Sequence, residues 1–278
     1  MEFGEFGIWT SFRAIGEENA SEAASLVEEL GFSALWLGGS PRLPSVRPLL
    51  AASDQLTVAT GIVNVWANEP AELAAEHAAL VGDFPGRLLV GIGIGHPEAT
   101  SDYSRPLSTM RSFLDGLDGA DPPLPREERV LAALRPKMLS LAAERTAGAH
   151  PYFVPVEHTQ VARSVLGDGP LLATEMACVV NPDPVRGAEA ARQYAASYLS
   201  MSNYTSNLLS LGFTEHDFAD GGSDRLIDAI VPHGTAEEIV PLALAHLEAG
   251  ADHVCLQPVG VKGVPREEWR ALARALGL

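Results

Sequence analysis

Short apolar runs alternate with longer amphipathic segments along the whole chain. The segment Glu18–Leu30 carries apolar residues at helical spacing, whereas Leu88–Ile92 is apolar almost throughout. Continuous apolar runs of this kind are typical of strands that are buried on both faces of a parallel sheet. The pattern therefore predicts an α/β protein.

Eight strands are expected, each followed by helical sequence. They are Phe6–Trp9, Phe32–Leu37, Leu56–Val63, Arg87–Ile92, Arg129–Leu134, Ala147–Val154, Leu171–Val180 and His253–Gln257. The helices are Glu18–Leu30, Val46–Ser53, Pro70–Gly82, Leu107–Leu117, Arg135–Arg145, His158–Leu166, Pro184–Leu211, Thr235–Ala249 and Arg266–Leu276.

Eight such units without an interdomain linker predict one domain over residues 1–278, a (β/α)8 TIM-like barrel. An open, doubly wound sheet is the alternative, because strand–helix alternation occurs in both folds. Two insertions interrupt the pattern, at Pro97–Leu107 after the fourth strand and at Met201–Val231 before the last βα unit. Insertions of this kind usually lie over the active face of a barrel.

The composition excludes several classes of partner. A formal net charge of −17 argues against binding to nucleic acid or to a membrane surface. No apolar stretch approaches the roughly 18 residues of a membrane span, and the acidic start of the chain lacks a signal-peptide pattern. Cys178 and Cys255 lie in apolar runs and have no metal-ligand spacing, so we expect reduced core thiols in a cytoplasmic protein.

The fourth strand ends in a glycine-rich segment, Gly91-x-Gly93-x-Gly95, followed by His96. The spacing differs from the GxGxxG fingerprint of dinucleotide-binding proteins. One interpretation is tight packing of this strand inside the barrel. The other is that a flat ring system lies against the strand end, with His96 as a hydrogen-bond donor or proton-transfer group.

Other strand ends carry further candidates. Arg135 and Lys137 open a helix at a place where acidic residues are favoured, which indicates either an anion site or two ordinary solvated cations. His150 follows the sixth strand and is either a site residue or a structural histidine bonded to a loop. An aromatic-lined cavity is suggested by the tryptophans near the ends of the first three strands, Trp9, Trp36 and Trp66.

Neither a metal site nor a serine-nucleophile elbow is expected, because HxxxH, CxxC and GxSxG patterns are all missing from the sequence. Instead, six segments together resemble the luciferase-like (bacterial-luciferase-type) flavin and F420-dependent oxidoreductases, and most of all an actinobacterial F420-dependent subgroup. They are 34–41, 59–66, 91–97, 129–134, 148–152 and 221–226. The resemblance extends over nearly the whole chain.

The resemblance implies a deazaflavin or flavin at the carboxyl ends of the strands and a non-prolyl cis peptide at Gly61–Ile62. Because the acid/base pair usual in the family is missing here, His96 or His150 takes its catalytic place, or the hydride is transferred without a strong acid. The substrate contacts are expected from Trp9, Trp66, Asn203 and Tyr204. The implied cofactor-binding residues are Gly39, Ser40, Thr60, Gly61, Ile62, Asn64, Gly93, Gly95, Arg135 and Lys137. A homodimer acting on a small-molecule substrate is also implied.

Two departures from the family pattern bear on function. Gly39 and Ser40 stand where many relatives carry an acidic residue and a histidine, so the usual acid/base pair is missing. Arg135 stands where relatives often have glycine near the cofactor phosphate. We expect an F420-dependent oxidoreductase that exchanges a hydride with a small organic substrate; the alternatives are an FMN-dependent monooxygenase and a non-catalytic barrel that binds F420 or flavin.

Overall fold

The computed structural model describes residues 3–99 and 103–278. The strands are β1 Phe6–Ser11, β2 Ala34–Gly38, β3 Thr57–Gly61, β4 Val63–Asn64, β5 Leu88–Gly93, β6 Arg129–Leu131, β7 Gly148–Ala149, β8 Leu171–Val180, β9 His233–Gly234 and β10 His253–Pro258. The helices are α1 Phe12–Ile15, α2 Ala20–Glu29, α3 Arg47–Ala51, α4 Pro70–Asp83, α5 Pro106–Asp118, α6 Pro136–Arg145, α7 Val156–Leu166, α8 Pro184–Leu199, α9 Ser202–Ser210, α10 Asp224–Ile230, α11 Ala236–Glu248 and α12 Arg266–Leu276.

The strands close into a parallel barrel, which confirms the predicted fold. Strand β1 pairs with β2, β2 with β3, and the order continues through β5, β6, β7, β8 and β10 back to β1. The short strand β4 continues the line of β3 along β5, so the two together form one side of the barrel. None of the described helices has both the length and the apolar character needed to cross a membrane.

The barrel interior is built around one large side chain. Trp36 of β2 is fully buried, and small residues in the same cluster leave room for it: Ala34 on its own strand, Ala59 opposite it on β3 and Ala173 on β8. Residues that alternate with these, such as Leu35, face outward and pack under the helices. The strands are therefore apolar on both faces, which is the pattern seen in the sequence.

Several elements differ from the sequence prediction. The predicted fifth strand, Arg129–Leu134, ends at Leu131. The predicted sixth strand, Ala147–Val154, pairs only over Gly148–Ala149. The chain then turns at Phe153, whose φ is +57°, and its backbone N–H binds the Glu175 carboxylate instead of a sheet partner. The predicted helix Pro184–Leu211 is two helices, α8 and α9, because Met201 between them is extended.

Close packing between β5 and the β3–β4 segment explains two glycines. A Cβ atom on Gly91 would lie 1.9 Å from the carbonyl oxygen of Thr60, and one on Gly93 would lie 2.5 Å from the Ile62 side chain. The Gly61–Ile62 peptide bond is cis, as the family resemblance implied. Tight packing, the first of the two interpretations, thus accounts for Gly91, while Gly93 both accommodates Ile62 and lines the cavity described below.

We predict that Gly91→Ala destabilises the protein by about 3 kcal/mol or more, because a backbone carbonyl cannot move aside as a flexible side chain can. Gly82→Ala is the control: Gly82 lies in α4, and a Cβ there meets nothing within 4 Å. It should be neutral or stabilising by up to about 1 kcal/mol. Urea denaturation of both variants checks this, and equal midpoints for the two would contradict it.

Candidate active site

A cavity of about 550 Å³ lies at the carboxyl ends of the barrel strands. Fourteen of the sixteen residues predicted to form the site line it: Trp9, Gly39, Ser40, Gly61, Ile62, Asn64, Gly93, Gly95, His96, Arg135, Lys137, His150, Asn203 and Tyr204. They come from seven different strand ends and from helix α9, and only the closed barrel brings them together.

Two predicted residues lie behind the cavity wall instead. The Thr60 hydroxyl is fully buried and donates to the carbonyl oxygen of Gly91, so it fastens β3 to β5. The Trp66 indole N–H donates to the carbonyl oxygen of Ile94, and its ring packs beside Tyr103. Thr60 and Trp66 therefore support the cavity wall and do not line the cavity themselves. Trp36, the third candidate tryptophan near a strand end, lies inside the barrel and also stays out of the cavity lining.

His150 lines the cavity and carries a fixed hydrogen-bond acceptor. Its Nδ1 lies 2.8 Å from the carbonyl oxygen of Ala173, and because a carbonyl only accepts, Nδ1 carries the proton. Nε2 is then left with a free lone pair. Burial lowers the pKa of His150 to about 4, so the ring is neutral at pH 7.

A column of aromatic rings holds His150 from below. The His150 ring stacks on Trp36, with centroids 4.1 Å apart and ring planes 16° from parallel. The Trp36 indole N–H donates to Nε2 of His253, at 3.1 Å, and Nδ1 of His253 donates to the carbonyl oxygen of Gly4, at 2.6 Å. The orientation of His150 is therefore set by contacts that run through the barrel interior.

His96 lies on another wall of the cavity and links the two insertions. Its Nδ1 is 2.9 Å from Oδ1 of Asn203, and its ring lies beside Tyr204. Two residues further on, the Glu98 carboxylate accepts a hydrogen bond from the backbone N–H of Ser202. The insertion after β5 and the start of α9 thus meet over the cavity, at the active face where the sequence predicted them.

A tyrosine cluster, which the sequence analysis missed, forms part of the lining. The Tyr152 hydroxyl lies 2.6 Å from that of Tyr194 and 2.9 Å from that of Tyr198, and it donates to Oε1 of Gln257. Burial raises the pKa of Tyr152 well above its usual value, so the hydroxyls stay protonated. One signal was available: Tyr194 and Tyr198 are one helical turn apart on α8.

Glu175, on β8, is a second residue that the sequence analysis missed. Its Oε2 accepts a hydrogen bond from the backbone N–H of Phe153, while Oε1 is buried without a partner among the described residues. Burial raises the pKa of Glu175 to about 8, so the carboxyl group is mostly protonated at pH 7. The barrel therefore carries a neutral acid where the apolar sequence of β8 predicts only core packing.

The cationic side chains of the cavity lie together after one strand end. Arg135 and Lys137 are the only lysine or arginine residues in the cavity lining of the described chain. Both stand at the N-terminus of α6, whose first turn contains no acidic residue and whose N-cap makes no side-chain hydrogen bond. Pro136 has no backbone N–H, and the N–H groups of Met138 and Leu139 donate to the carbonyl oxygen of Arg135, so the Lys137 N–H is the one left free in this turn among the described residues. Together with the two cationic side chains it forms a suitable place for an anionic group. No cluster of metal-ligating side chains occurs in the described residues.

The barrel is closed and has an apolar cavity at its strand ends. A cis peptide bond lies in one wall of this cavity, and two cationic side chains lie in another. These features define a ligand-binding α/β barrel. Residues 4–253 match the family model of the luciferase-like monooxygenases, and the chain therefore belongs to that family.

Solved structures with the same fold include enzymes that use either of two cofactors. An F420-dependent secondary alcohol dehydrogenase, in complex with an F420–acetone adduct, aligns over 99% of this chain and 98% of its own, with 16% identity and a TM-score of 0.77. The F420-dependent tetrahydromethanopterin reductase of Methanopyrus kandleri aligns over 99% and 98%, with 14% identity and a TM-score of 0.74. The oxygenating constituent of the 3,6-diketocamphane monooxygenase of Pseudomonas putida, in complex with FMN, aligns over 98% and 96%, with 15% identity and a TM-score of 0.66.

We predict that Glu175→Gln changes the pH dependence of stability. The unfolded chain loses the Glu175 proton near pH 4.5, whereas the folded chain keeps it to about pH 8. Between these values the folded state holds more protons, so the wild-type protein loses stability from this group as the pH rises. The variant lacks this loss, and its advantage should grow by at most about 1.4 kcal/mol per pH unit. Urea denaturation at pH 5, 6, 7 and 8 measures it; parallel curves for the two proteins would refute the assignment.

Proposed function

We propose that this protein is an F420-dependent oxidoreductase whose cavity holds the deazaflavin and a small organic substrate. When bound, the cofactor supplies hydride transfer, and the protein supplies binding, orientation and proton handling. The observation that carries the proposal is the combination, in one apolar cavity, of a flat glycine-lined wall with an isolated pair of cations. The F420-dependent enzymes of the same fold support it.

The residues present fit a long, flat and acidic cofactor. Gly61, Gly93 and Gly95 line this wall. The space that a side chain of Gly93 would fill is taken by Ile62, so a ring bound here would lie against Ile62 and the adjoining backbone. The side chains of Arg135 and Lys137, with the backbone N–H of Lys137, would hold the phosphate or the acidic tail. Ile62, Asn64, Gly39 and Ser40 complete the cofactor side of the cavity.

In this proposal, histidine side chains transfer the proton. Gly39 has no side chain and the Ser40 hydroxyl is a weak acid and base, so neither replaces the acid/base pair of relatives. His150 offers a neutral Nε2 to the cavity, and His96 is held by Asn203. Trp9, Asn203 and Tyr204 would contact the substrate beside these two rings.

Cofactor binding is tested first. We expect F420 to bind with a dissociation constant below about 100 μM, which corresponds to about −5.5 kcal/mol. Arg135→Ala and Lys137→Ala should each weaken binding by about tenfold, because each removes a charge-assisted hydrogen bond. Lys262→Ala is the matched control, since Lys262 is exposed and does not line the cavity. Fluorescence titration measures all four proteins, and equal affinities would sink the anion-site assignment.

The same titration with FMN tests the alternative cofactor. Tighter binding of FMN than of F420, together with oxygen consumption in the presence of an FMN reductase, would replace the proposal by a monooxygenase. Binding of neither cofactor would leave a barrel with another role.

We also expect His96→Ala and His150→Ala to lower kcat by about 100-fold or more on a confirmed substrate, as the loss of a general acid or base does. Lys262→Ala again serves as the control, since Lys262 is exposed and lies outside the cavity lining. Unchanged turnover in both histidine variants would show that neither ring transfers the proton.

A further inference from the structure

We propose that Trp9 and His150 form a hydroxyl-binding subsite on the floor of the cavity, and that the substrate presents an alcohol hydroxyl there. This inference deepens the proposed function by naming a substrate class, and it relies on that function only for the chemistry that follows binding. It stands on two polar atoms that the fold leaves without partners.

These atoms are Nε1 of Trp9 and Nε2 of His150. Both are buried, and neither has a hydrogen-bond partner among the described residues. Each lies beside Gly61: an ideal Cβ atom on that glycine would be 2.5 Å from Trp9 Nε1 and 3.1 Å from His150 Nε2. The two atoms therefore pack against the same glycine and lie no more than 5.6 Å apart, the sum of these two distances, in side chains that both line the cavity.

The two atoms have opposite hydrogen-bonding character. The indole N–H of Trp9 can only donate. Nε2 of His150 can only accept, because Nδ1 holds the ring proton against the carbonyl oxygen of Ala173. A single hydroxyl group satisfies both, since its oxygen accepts from Trp9 while its proton is donated to His150. A carbonyl oxygen satisfies Trp9 alone, and a hydrocarbon satisfies neither.

Neither side chain can turn away to find another partner. The six-membered part of the Trp9 indole lies over Gly38, where a Cβ atom would come within 2.1 Å of its Cζ2. His150 is stacked on Trp36 and bonded to Ala173. Buried polar groups without hydrogen-bond partners cost free energy. A ligand that forms hydrogen bonds with both atoms should therefore bind more tightly than a ligand that forms only one.

Tyr152 completes the surroundings of the pair. Its ring lies 5.1 Å from that of Trp9, but its hydroxyl is already bonded to Tyr194, Tyr198 and Gln257. The nearest tyrosine hydroxyl is thus occupied by its own cluster. This leaves Trp9 and His150 as the pair that a ligand hydroxyl would meet on this part of the floor.

The test compares cyclohexanol, cyclohexanone and methylenecyclohexane, which have similar shape and differ in hydrogen bonding. Trp9→Phe removes the donor and keeps an aromatic ring. His150→Asn removes the Nε2 acceptor but keeps an amide N–H that can replace Nδ1. The controls are Trp269→Phe, a buried tryptophan on α12 outside the cavity lining whose indole N–H also lacks a partner among the described residues, and His216→Asn at an exposed position. Dissociation constants are measured by ligand-observed NMR, with and without F420.

We expect Trp9→Phe to weaken cyclohexanol and cyclohexanone by about tenfold each and to leave methylenecyclohexane unchanged. His150→Asn should weaken cyclohexanol alone by a similar factor, and the controls should change none of the three. Equal effects of each variant on all three ligands would overturn the subsite. So would a crystal structure in which Trp9 Nε1 donates directly to His150 Nε2.

The two proposals fail separately. Loss of the ligand-specific pattern in a protein that binds F420 would remove the hydroxyl subsite and leave the cofactor assignment standing. The expected pattern in a protein that does not bind F420 would keep the subsite and refute the cofactor.

Discussion

The site depends on how closely the β3–β4 segment approaches β5. At Gly91 the neighbouring strand comes so near that the Thr60 carbonyl oxygen occupies the place of a side chain, and at Gly93 the Ile62 side chain does the same. The Thr60 hydroxyl, which donates to Gly91, holds the two strands in this position. Gly61, Ile62, Gly93 and Gly95 all line the cavity, so this closely packed segment forms one side of the ligand space.

Charged groups and neutral polar groups lie in different parts of the cavity. The cations stand together at the start of α6, whereas the floor carries a neutral histidine, an indole N–H and a protonated tyrosine cluster. Burial also keeps the Glu175 carboxyl group on β8 neutral. A molecule with −17 net charge thus presents a cavity with little negative charge of its own at neutral pH. That contrast suits a ligand with an uncharged reactive part and an acidic end.

The fold and most of the lining were predictable because the signals are periodic or local. Apolar runs at regular intervals predicted the barrel, and position at the end of a strand singled out His96, His150 and Arg135. Thr60 and Trp66 were misplaced for a geometric reason: both stand near strand ends, but their side chains point to a neighbouring strand or to the back of the wall. Alternation of side chains along a strand fixes such directions only when the register is known.

Glu175 and the tyrosine cluster escaped prediction because their roles arise from burial and long-range contacts. Tyr152 and Gln257 are far apart in sequence and meet only after β8 and β10 have paired. The column of rings under His150 is of the same kind, and its lower end is the backbone carbonyl of Gly4, ahead of the first strand. The ring proton of His253, and through Trp36 the tilt of the His150 imidazole, are thus anchored at the amino-terminal end of the barrel. An expression tag or fusion that shifts the chain around Gly4 would therefore disturb chemistry at the opposite face without touching a single cavity residue.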